Sequence, residues 1–400
     1  MTILYIISIA VIVIILWFFI DFLIARLLHR KNIQPFKEPP IRKSDVEFFA
    51  SGDKLFQHLL GEIEQATHHI HILFYIFRDD NIGQKMLDKL KDKANEGVEI
   101  RLMVDFMGMK IARKNRKLLK KAGIHFVISN KPSFPFFFYS MNKRNHRKVT
   151  VIDGEIAYLG GFNVGDEYLG RDPNFGPWRD YHLAVKGEGV EDLQRQFLLD
   201  WKSASSEDLV QRERYYPQQR PGRKEIQILS LDGDHGKEVT LKLINSAKHK
   251  LFIGSPYFIP GKEIKDALIN AAKRGVDIQV ILPKKPDHPL VIHAAYPYFQ
   301  PLINAGIDIY LYFQGFYHSK AIIIDDKICD IGTANFDQRS FHLNHEVNCL
   351  IHDEDWTQQV MEQVDQDLNR SERVTINHLN DRSLGKRLKE LVATTFSPLM

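Results

Sequence analysis

NHRKVTVIDGEIAYLGGFN at residues 145–163 is matched in pattern by YHSKAIIIDDKICDIGTAN at residues 317–335. Each stretch contains His-x-Lys-x4-Asp, and each continues at the same distance into a turn of small residues that ends in asparagine. One such match could arise by chance, but two at corresponding places in one chain indicate an internal duplication.

The duplication extends outward from these two stretches. Three further blocks precede each stretch in the same order, and glycines such as Gly97 and Gly275 end a helical run before an apolar, strand-like run. The paired blocks are HIHILFYIF with KLFIGSPYFI, ANEGVEIRLMV with AAKRGVDIQVIL, and KKAGIHFVI with INAGIDIYLY. This alternation predicts an α/β fold of two similar α/β/α halves with mixed sheets, related by a pseudo-two-fold axis.

Chain length and local composition indicate where these halves begin and end. The 400 residues suffice for two domains of about 150–200 residues, and the polar stretch with Pro217, Pro221 and Gly222 is typical of a linker. We therefore divide the chain into an anchor (1–25), a juxtamembrane linker (26–43), a first half (44–203), a linker (204–223), a second half (224–368) and a C-terminal tail (369–400).

The anchor is the uncharged run TILYIISIAVIVIILWFFI at residues 2–20. As a helix it reaches about 28 Å, close to the hydrocarbon thickness of a bilayer. A cleaved signal peptide is disfavoured because no basic segment precedes the run, and a buried core helix because nothing adjacent could cover it. The basic residues Arg26, Arg30, Lys31 and Lys37 follow the run, so the positive-inside rule predicts a single-pass cell-membrane protein with a cytoplasmic body.

Charge and cysteine content exclude other classes. The chain has 54 basic and 50 acidic residues, a formal net charge of +4, which gives no sign of a nucleic-acid partner. Its two cysteines, Cys329 and Cys349, form no disulfide framework or thiol-rich metal cluster. We expect both to be buried, reduced thiols.

The repeated motif carries the chemistry. Side chains two apart on a strand share a face, so His146 projects with Lys148, and His318 with Lys320. If the halves pack about a two-fold axis, both pairs meet in one cleft. Such a set suits a phosphodiester: one imidazole attacks phosphorus, the other protonates the leaving oxygen, and the ammonium groups stabilise the phosphoryl oxygens. Because the lysines supply positive charge, we expect no metal and no cofactor.

The paired motif resembles that of the phospholipase D superfamily. The two quoted stretches, together with WRDYHL, SPYFIPGKEIKDAL and the closing SPLM, are similar to bacterial cardiolipin synthases from about residue 44 to the end. Many such synthases carry two membrane spans, whereas one clear span is present here.

The resemblance implies phosphatidyl transfer between two phosphatidylglycerol molecules through a phosphatidyl-histidine. It favours His146 as the nucleophile and His318 as the acid and then the base, although the sequence itself is symmetrical. It also implies that Lys148, Lys320, Asn163 and Asn335 bind the phosphate, and that the partners are phospholipid and membrane without nucleic acid. Oligomeric state stays open.

Asp153 and Asp325 are the aspartates of the His-x-Lys-x4-Asp motif, and membership of the motif assigns them to the catalytic residues. A strand covers about 20 Å between each histidine and its aspartate, so neither carboxylate is expected to reach the imidazole of its motif. This distance favours a structural role at the strand-end turn. In relatives the carboxylates that orient the imidazoles lie about thirty residues after each histidine. Those places hold Asp180 and Glu346, whose alternative interpretation is ordinary surface charge.

The stretch PSFPFFFYSMNKRNHRK at residues 132–148 joins aromatic residues to cations just before the first motif. This composition suits the interface of an anionic bilayer, and the alternative is an apolar wall packed against the other half. Rival functions stay open: a phospholipase D-type hydrolase that uses water as the acceptor, another phosphatidyltransferase of the same superfamily, a nuclease of that superfamily, and a non-catalytic membrane scaffold.

Overall fold

The computed structural model describes residues 2–32, 34–233, 235–287, 289–380, 390 and 393. Residues 397–400, which contribute to the sequence resemblance, and nearly all of the predicted tail beyond residue 380 lie outside the described residues.

The first half alternates strands and helices, as the glycine-ended blocks predict. Its elements, including α1 before it, are α1 (Thr2–Asn32), β1 (Arg42–Phe49), α2 (Gly52–Gln65), β2 (His69–Phe74), β3 (Phe77–Arg78), α3 (Asn81–Asn95), β4 (Glu99–Asp105), β5 (Met109–Lys110), α4 (Arg113–Lys121), β6 (His125–Ser129), α5 (Phe137–Asn142), β7 (Val149–Ile152), β8 (Ile156–Gly160), β9 (Trp178–Arg179), β10 (His182–Gly187) and α6 (Gly189–Ser205).

The second half repeats this order with few changes. Its elements are β11 (Lys224–Asp232), α7 (His235–Ser246), β12 (Lys250–Gly254), α8 (Gly261–Lys273), β13 (Asp277–Pro283), α9 (Pro289–Asn304), β14 (Asp308–Tyr312), β15 (Phe316–Tyr317), β16 (Ala321–Ile324), β17 (Ile328–Gly332), α10 (Gln338–His342), β18 (His345–His352), α11 (Glu354–Leu368), β19 (Ser371–Arg373) and α12 (Ile376–Asn380).

The sheets of the two halves join into one sheet, which has fifteen strands among the described residues. From the middle outward the first half has the order β1-β10-β8-β7-β2-β4-β6, and the second half has the order β11-β18-β17-β16-β12-β13-β14, with β19 at its edge. Strand β1 pairs antiparallel with β11 at the junction. The predicted pair of similar halves with mixed sheets is confirmed, and their continuity through β1 and β11 is an additional finding.

Helices cover both faces of the sheet, because successive strand residues point to opposite sides. On β2, Ile70 and Ile72 lie in the core formed with α2 and α3. Leu73 points to the other face, where it packs with Phe197 and Trp201 of α6. In the first half, apolar cores therefore lie on both faces of the sheet, as the predicted α/β/α layering requires.

The predicted linker at residues 204–223 is a packed segment. Its residues Leu209, Val210 and Tyr215 are buried beside Trp201 of α6. The segment thus lies against the outer face of the first half on its way to β11. The domain boundaries themselves stay predictions.

Helix α1 is long and apolar enough to cross a membrane: its span Leu4–Lys31 contains an 18-residue window with a mean hydropathy of 2.9. It continues past residue 25, the predicted end of the anchor, to Asn32. Most of its apolar side chains are exposed, as those of a membrane-spanning helix would be. This helix therefore indicates that the protein is membrane-associated.

One side of α1 contacts the catalytic body. The ring of Phe138 in α5 packs against Trp17 and Phe18, with centroids 4.8 and 5.2 Å apart. The backbone N–H of Tyr139 donates to Asp21 Oδ2 over 2.8 Å. The aromatic end of the 132–148 stretch therefore lies against the membrane helix.

We expect a chain lacking residues 1–25 to fold, because its cores lie in the two halves, but to bind membranes less firmly. It should unfold cooperatively in a circular-dichroism melt, and flotation with anionic vesicles should recover much less of it than of the full chain. A truncated protein that floats as completely as the full chain in about 1 M salt, where surface charges are screened, would contradict this expectation.

Candidate active site

The two motif histidines meet at the junction of the halves. His146 immediately precedes the Arg147-Lys148 step into β7, and His318 stands in the same place before β16. Both strands start where the parallel strands of their half end, since Val149 pairs with Leu73 and Ala321 with Gly254. His146 and His318 line one cavity of about 620 Å³.

Backbone hydrogen bonds between the halves fix both histidines. The His146 N–H donates to the carbonyl of His345 over 2.9 Å, and the His345 N–H donates to the carbonyl of Arg144 over 2.9 Å. In the pseudo-symmetric place, β15 pairs with β9, and the His318 N–H donates to the carbonyl of Arg179 over 2.7 Å. Each histidine is thus held by a segment of the opposite half.

Those segments also carry the two carboxylates that the resemblance singled out. Glu346 Oε2 lies 2.8 Å from Nδ1 of His146, and Asp180 Oδ2 lies 2.5 Å from Nδ1 of His318. Both carboxylates are fully buried. Each therefore accepts the Nδ1–H of the histidine in the other half, which leaves the Nε2 lone pair for a substrate. The sequence did not indicate which carboxylate pairs with which histidine.

The two carboxylates are held differently, and sequence reasoning missed this. Glu346 accepts hydrogen bonds from the hydroxyls of Thr333 and Ser340, over 2.6 and 2.9 Å. At the place corresponding to Thr333 the first half has Gly161, where any side chain would collide with the Asp180 carboxylate. The sequence did contain a signal for this difference: the repeated turn has Gly161 in the first half and Thr333 in the second.

Burial and neighbouring charges set the ionisation of the site. Burial lowers the pKa of His146 and of His318 to about 4 each; the neighbouring lysines also lower both values, whereas Glu346 raises that of His146 and Asp180 raises that of His318. Burial raises the pKa of both carboxyls, but the neighbouring charges and hydrogen bonds together outweigh it, with Lys320 the largest of them at Asp180 and His146 the largest at Glu346, so both pKa values lie below their usual range. Near neutral pH the carboxylates are ionised and the imidazoles neutral.

The lysines lie behind the histidines, away from solvent. Lys148 Nζ donates to the carbonyl of His146 over 2.8 Å, and Lys320 Nζ lies 3.6 Å from Asp180 Oδ2. Burial lowers the pKa of Lys148 to about 7 and that of Lys320 to about 8. A bound phosphate anion favours the protonated form of both ammonium groups.

The two asparagines of the motif also line the cavity. The Asn163 Oδ1 accepts the backbone N–H of Ile76 over 3.0 Å, so its amide NH₂ remains available as a donor. Asn335 lies in the corresponding position of the second half. The structure therefore brings both histidines and both asparagines to one cavity, with the two lysines buried behind the histidines.

The motif aspartates are not brought to that space. The Asp153 carboxylate accepts hydrogen bonds from the backbone amides of residues 67–69, and Asp325 accepts those of residues 248–250. Both aspartates have left-handed backbone, with φ of 54° and 53°. Each fastens the start of a parallel strand at the far end of the strand that follows its histidine.

The cations of the 132–148 stretch point inward. Arg144 forms a buried ion pair with Asp105 over 3.2 Å. Arg147 is fully buried and donates to Asp200 and Asp232, over 2.8 Å each. These arginines hold the loop and the two halves together, while Phe134 at the other end of the stretch is 76% exposed.

Two similar halves that enclose two histidine–lysine pairs define the class: a two-histidine enzyme with a phospholipase D-like fold. Residues 59–176 and 240–368 match the family described as cardiolipin synthase, PLD-like domain. The chain belongs to that family, and it is a phosphatidyltransferase of the phospholipase D superfamily.

Its relatives and a solved structure agree with this membership. The chain is 43% identical over 357 residues to a minor cardiolipin synthase of Bacillus subtilis (strain 168), covering 89% of each protein. It is 42% identical over 369 residues to a cardiolipin synthase of Clostridium perfringens (strain 13), covering 90% of this chain and 78% of that one. Phosphatidylserine synthase of Haemophilus influenzae Rd KW20 shares the fold, with a TM-score of 0.69 and 15% identity over 94% of this chain and 100% of that chain.

We expect Asp153→Asn and Asp325→Asn to lower stability without lowering the turnover of folded enzyme. Asparagine tolerates the left-handed backbone but loses the charge that accepts three amides, at a cost of about 1 kcal/mol because both carboxylates are partly exposed. Thermal melts and turnover per folded molecule measure the two effects.

Asp326→Asn is the matched control, since that aspartate is also left-handed and pairs with Lys250 on the surface. Unchanged melting of Asp153→Asn together with a large loss of turnover would contradict the structural role.

Proposed function

We propose that this enzyme makes cardiolipin by moving a phosphatidyl group from one phosphatidylglycerol to a second one, with release of glycerol. One observation carries the proposal: His146 and His318 face a single cavity, and each is bonded to a buried carboxylate of the opposite half. The names of the relatives indicate the substrate class, and helix α1 would hold the enzyme in the membrane that contains such a substrate.

In the first step, Nε2 of His146 attacks phosphorus of the donor lipid. The bond from phosphorus to the headgroup oxygen breaks, and His318 gives its proton to the departing glycerol. His318 must be protonated for this step, and the anionic phosphate beside it raises its pKa above the value in the empty cavity. A phosphatidyl-histidine and free glycerol result.

In the second step, His318 takes the proton from a headgroup hydroxyl of the acceptor phosphatidylglycerol. The oxygen attacks phosphorus, the bond to His146 breaks, and cardiolipin forms. Glu346 stabilises positive charge on His146, and Asp180 does so on His318, while both keep the Nδ1–H tautomer.

The remaining residues supply the electrostatic part of catalysis. Lys148 and Lys320 balance the charge that develops on the phosphoryl oxygens, and Asn163 and Asn335 donate neutral hydrogen bonds to them. Asp153 and Asp325 take no part beyond holding their strands. No divalent metal is required in this scheme, because the two ammonium groups provide the positive charge.

We also propose a membrane topology for the chain. Helix α1 crosses the cell membrane once, and the basic residues after its apolar run keep the catalytic body in the cytoplasm. The substrate is a membrane phospholipid, and nucleic acid is no substrate.

The direct test is to incubate the purified full-length enzyme with phosphatidylglycerol vesicles. We expect one glycerol released for each cardiolipin formed, with activity unchanged by EDTA. Phosphatidic acid as the main product would instead indicate a hydrolase, and loss of activity in EDTA with recovery in Mg²⁺ would contradict the metal-free scheme.

We expect His146→Ala and His318→Ala each to lower turnover by at least about 10³-fold, and the double variant to be no worse than either, because the two residues act in one reaction. His125→Ala, at an exposed position on β6, is the control and should keep full activity. Near-normal synthesis by either single variant would contradict the two-histidine cavity.

A further inference from the structure

Three arginines line the active-site cavity, and they differ in what neutralises them: Arg78, Arg144 and Arg339. Arg78 forms an ion pair with Glu167 over 2.7 Å, and Arg144 forms one with Asp105. Within the part of the chain that the structure describes, Arg339 has no carboxylate within ion-pair distance. It is thus a cation of the cavity wall whose charge is available to a ligand.

Arg339 is nevertheless held firmly in place. Its Nη2 donates to the carbonyl of Asn142 over 2.8 Å, and its Nε is buried without a hydrogen-bond partner among the described residues. The carbonyl of Arg339 accepts the N–H groups of Leu343 and Asn344. A pre-positioned guanidinium of this kind binds a phosphate at little cost in conformational entropy.

The position of Arg339 is on the membrane side of the cavity. Asn142 is the last residue of α5, the helix that packs on α1. Leu343, which follows α10, is buried in one cluster with Tyr139 and with Ala25 of α1. Ala25 lies in the C-terminal part of the candidate membrane span Leu4–Lys31. Arg339 is therefore on the side of the cavity that adjoins the membrane helix.

The proposed reaction creates a need for this cation. After the first step, Lys148 and Lys320 are occupied by the phosphate bound to His146. The acceptor brings a second phosphate, which does not react but is linked through glycerol carbons to the attacking hydroxyl. That anion needs its own binding group if the hydroxyl is to be held in position, whereas water and free glycerol carry no such anion.

We propose that Arg339 binds the phosphate of the acceptor phospholipid and so directs the phosphatidyl group to a lipid rather than to water or glycerol. This assignment rests on the proposed function and deepens it. Arg339 is a specificity-determining residue in this scheme, and the lysines remain the groups that serve the reacting phosphorus.

The test compares two acceptors for the same intermediate. Cardiolipin formation from phosphatidylglycerol vesicles requires an acceptor lipid, whereas exchange of labelled glycerol into phosphatidylglycerol requires only the first step and its reversal. Loss of a charge-assisted contact to phosphate should lower cardiolipin formation by Arg339→Gln about 10- to 100-fold. Glycerol exchange should stay within about 3-fold of the full-length wild type.

Two variants complete the design. Arg339→Lys keeps a charge without the forked geometry and should recover part of the synthesis. Arg223→Gln removes an arginine that is almost fully exposed and pairs with Asp45, so it should change neither activity.

Equal loss of both activities in Arg339→Gln would overturn the assignment, because it would mean a role in folding or in the shared first step. Unchanged cardiolipin formation would overturn it as well. Failure of the wild type itself to form cardiolipin would contradict the proposed function, and is thereby distinguished from failure of the Arg339 assignment alone.

Discussion

The structure depends on an exchange between its halves: each catalytic histidine is hydrogen-bonded to a carboxylate of the other half. His146 meets Glu346 and His318 meets Asp180, and short backbone bonds beside each pair hold the segments together. Neither half alone could orient its own histidine. The continuous sheet through β1 and β11 is therefore a requirement of the site, since any shift at that junction would separate both pairs.

Neighbouring opposite charges offset the cost of burying the charged groups of this arrangement. An isolated buried carboxylate would be costly, but Asp180 and Glu346 each lie beside an imidazole and near an ammonium group. Arg147, buried between the halves, is balanced in the same way by Asp200 and Asp232. The buried charges that hold the two halves together are thus compensated within the protein itself.

Much of the fold could be predicted because the sequence contains the same succession of strand and helix patterns twice. The duplicated strands, the glycines that end the helices and the apolar anchor are local patterns, and the structure confirms the two α/β/α halves. The pairing of Glu346 with His146 could not be predicted, because the two residues are 200 positions apart and the spacing within each half does not show how the halves pack against each other. The packing of residues 204–223 was also hidden, since their polar composition conceals buried Leu209 and Tyr215. The roles of the site residues stay proposals.

The most direct measurement is to look for the covalent intermediate during turnover. The enzyme is mixed with excess phosphatidylglycerol, quenched within milliseconds in base, where a phosphorus–nitrogen bond survives, and digested for mass spectrometry. The account predicts a phosphatidyl group on the peptide that contains His146, and none in the His146→Ala variant. Turnover to cardiolipin with no adduct on either His146 or His318 would contradict the two-step transfer.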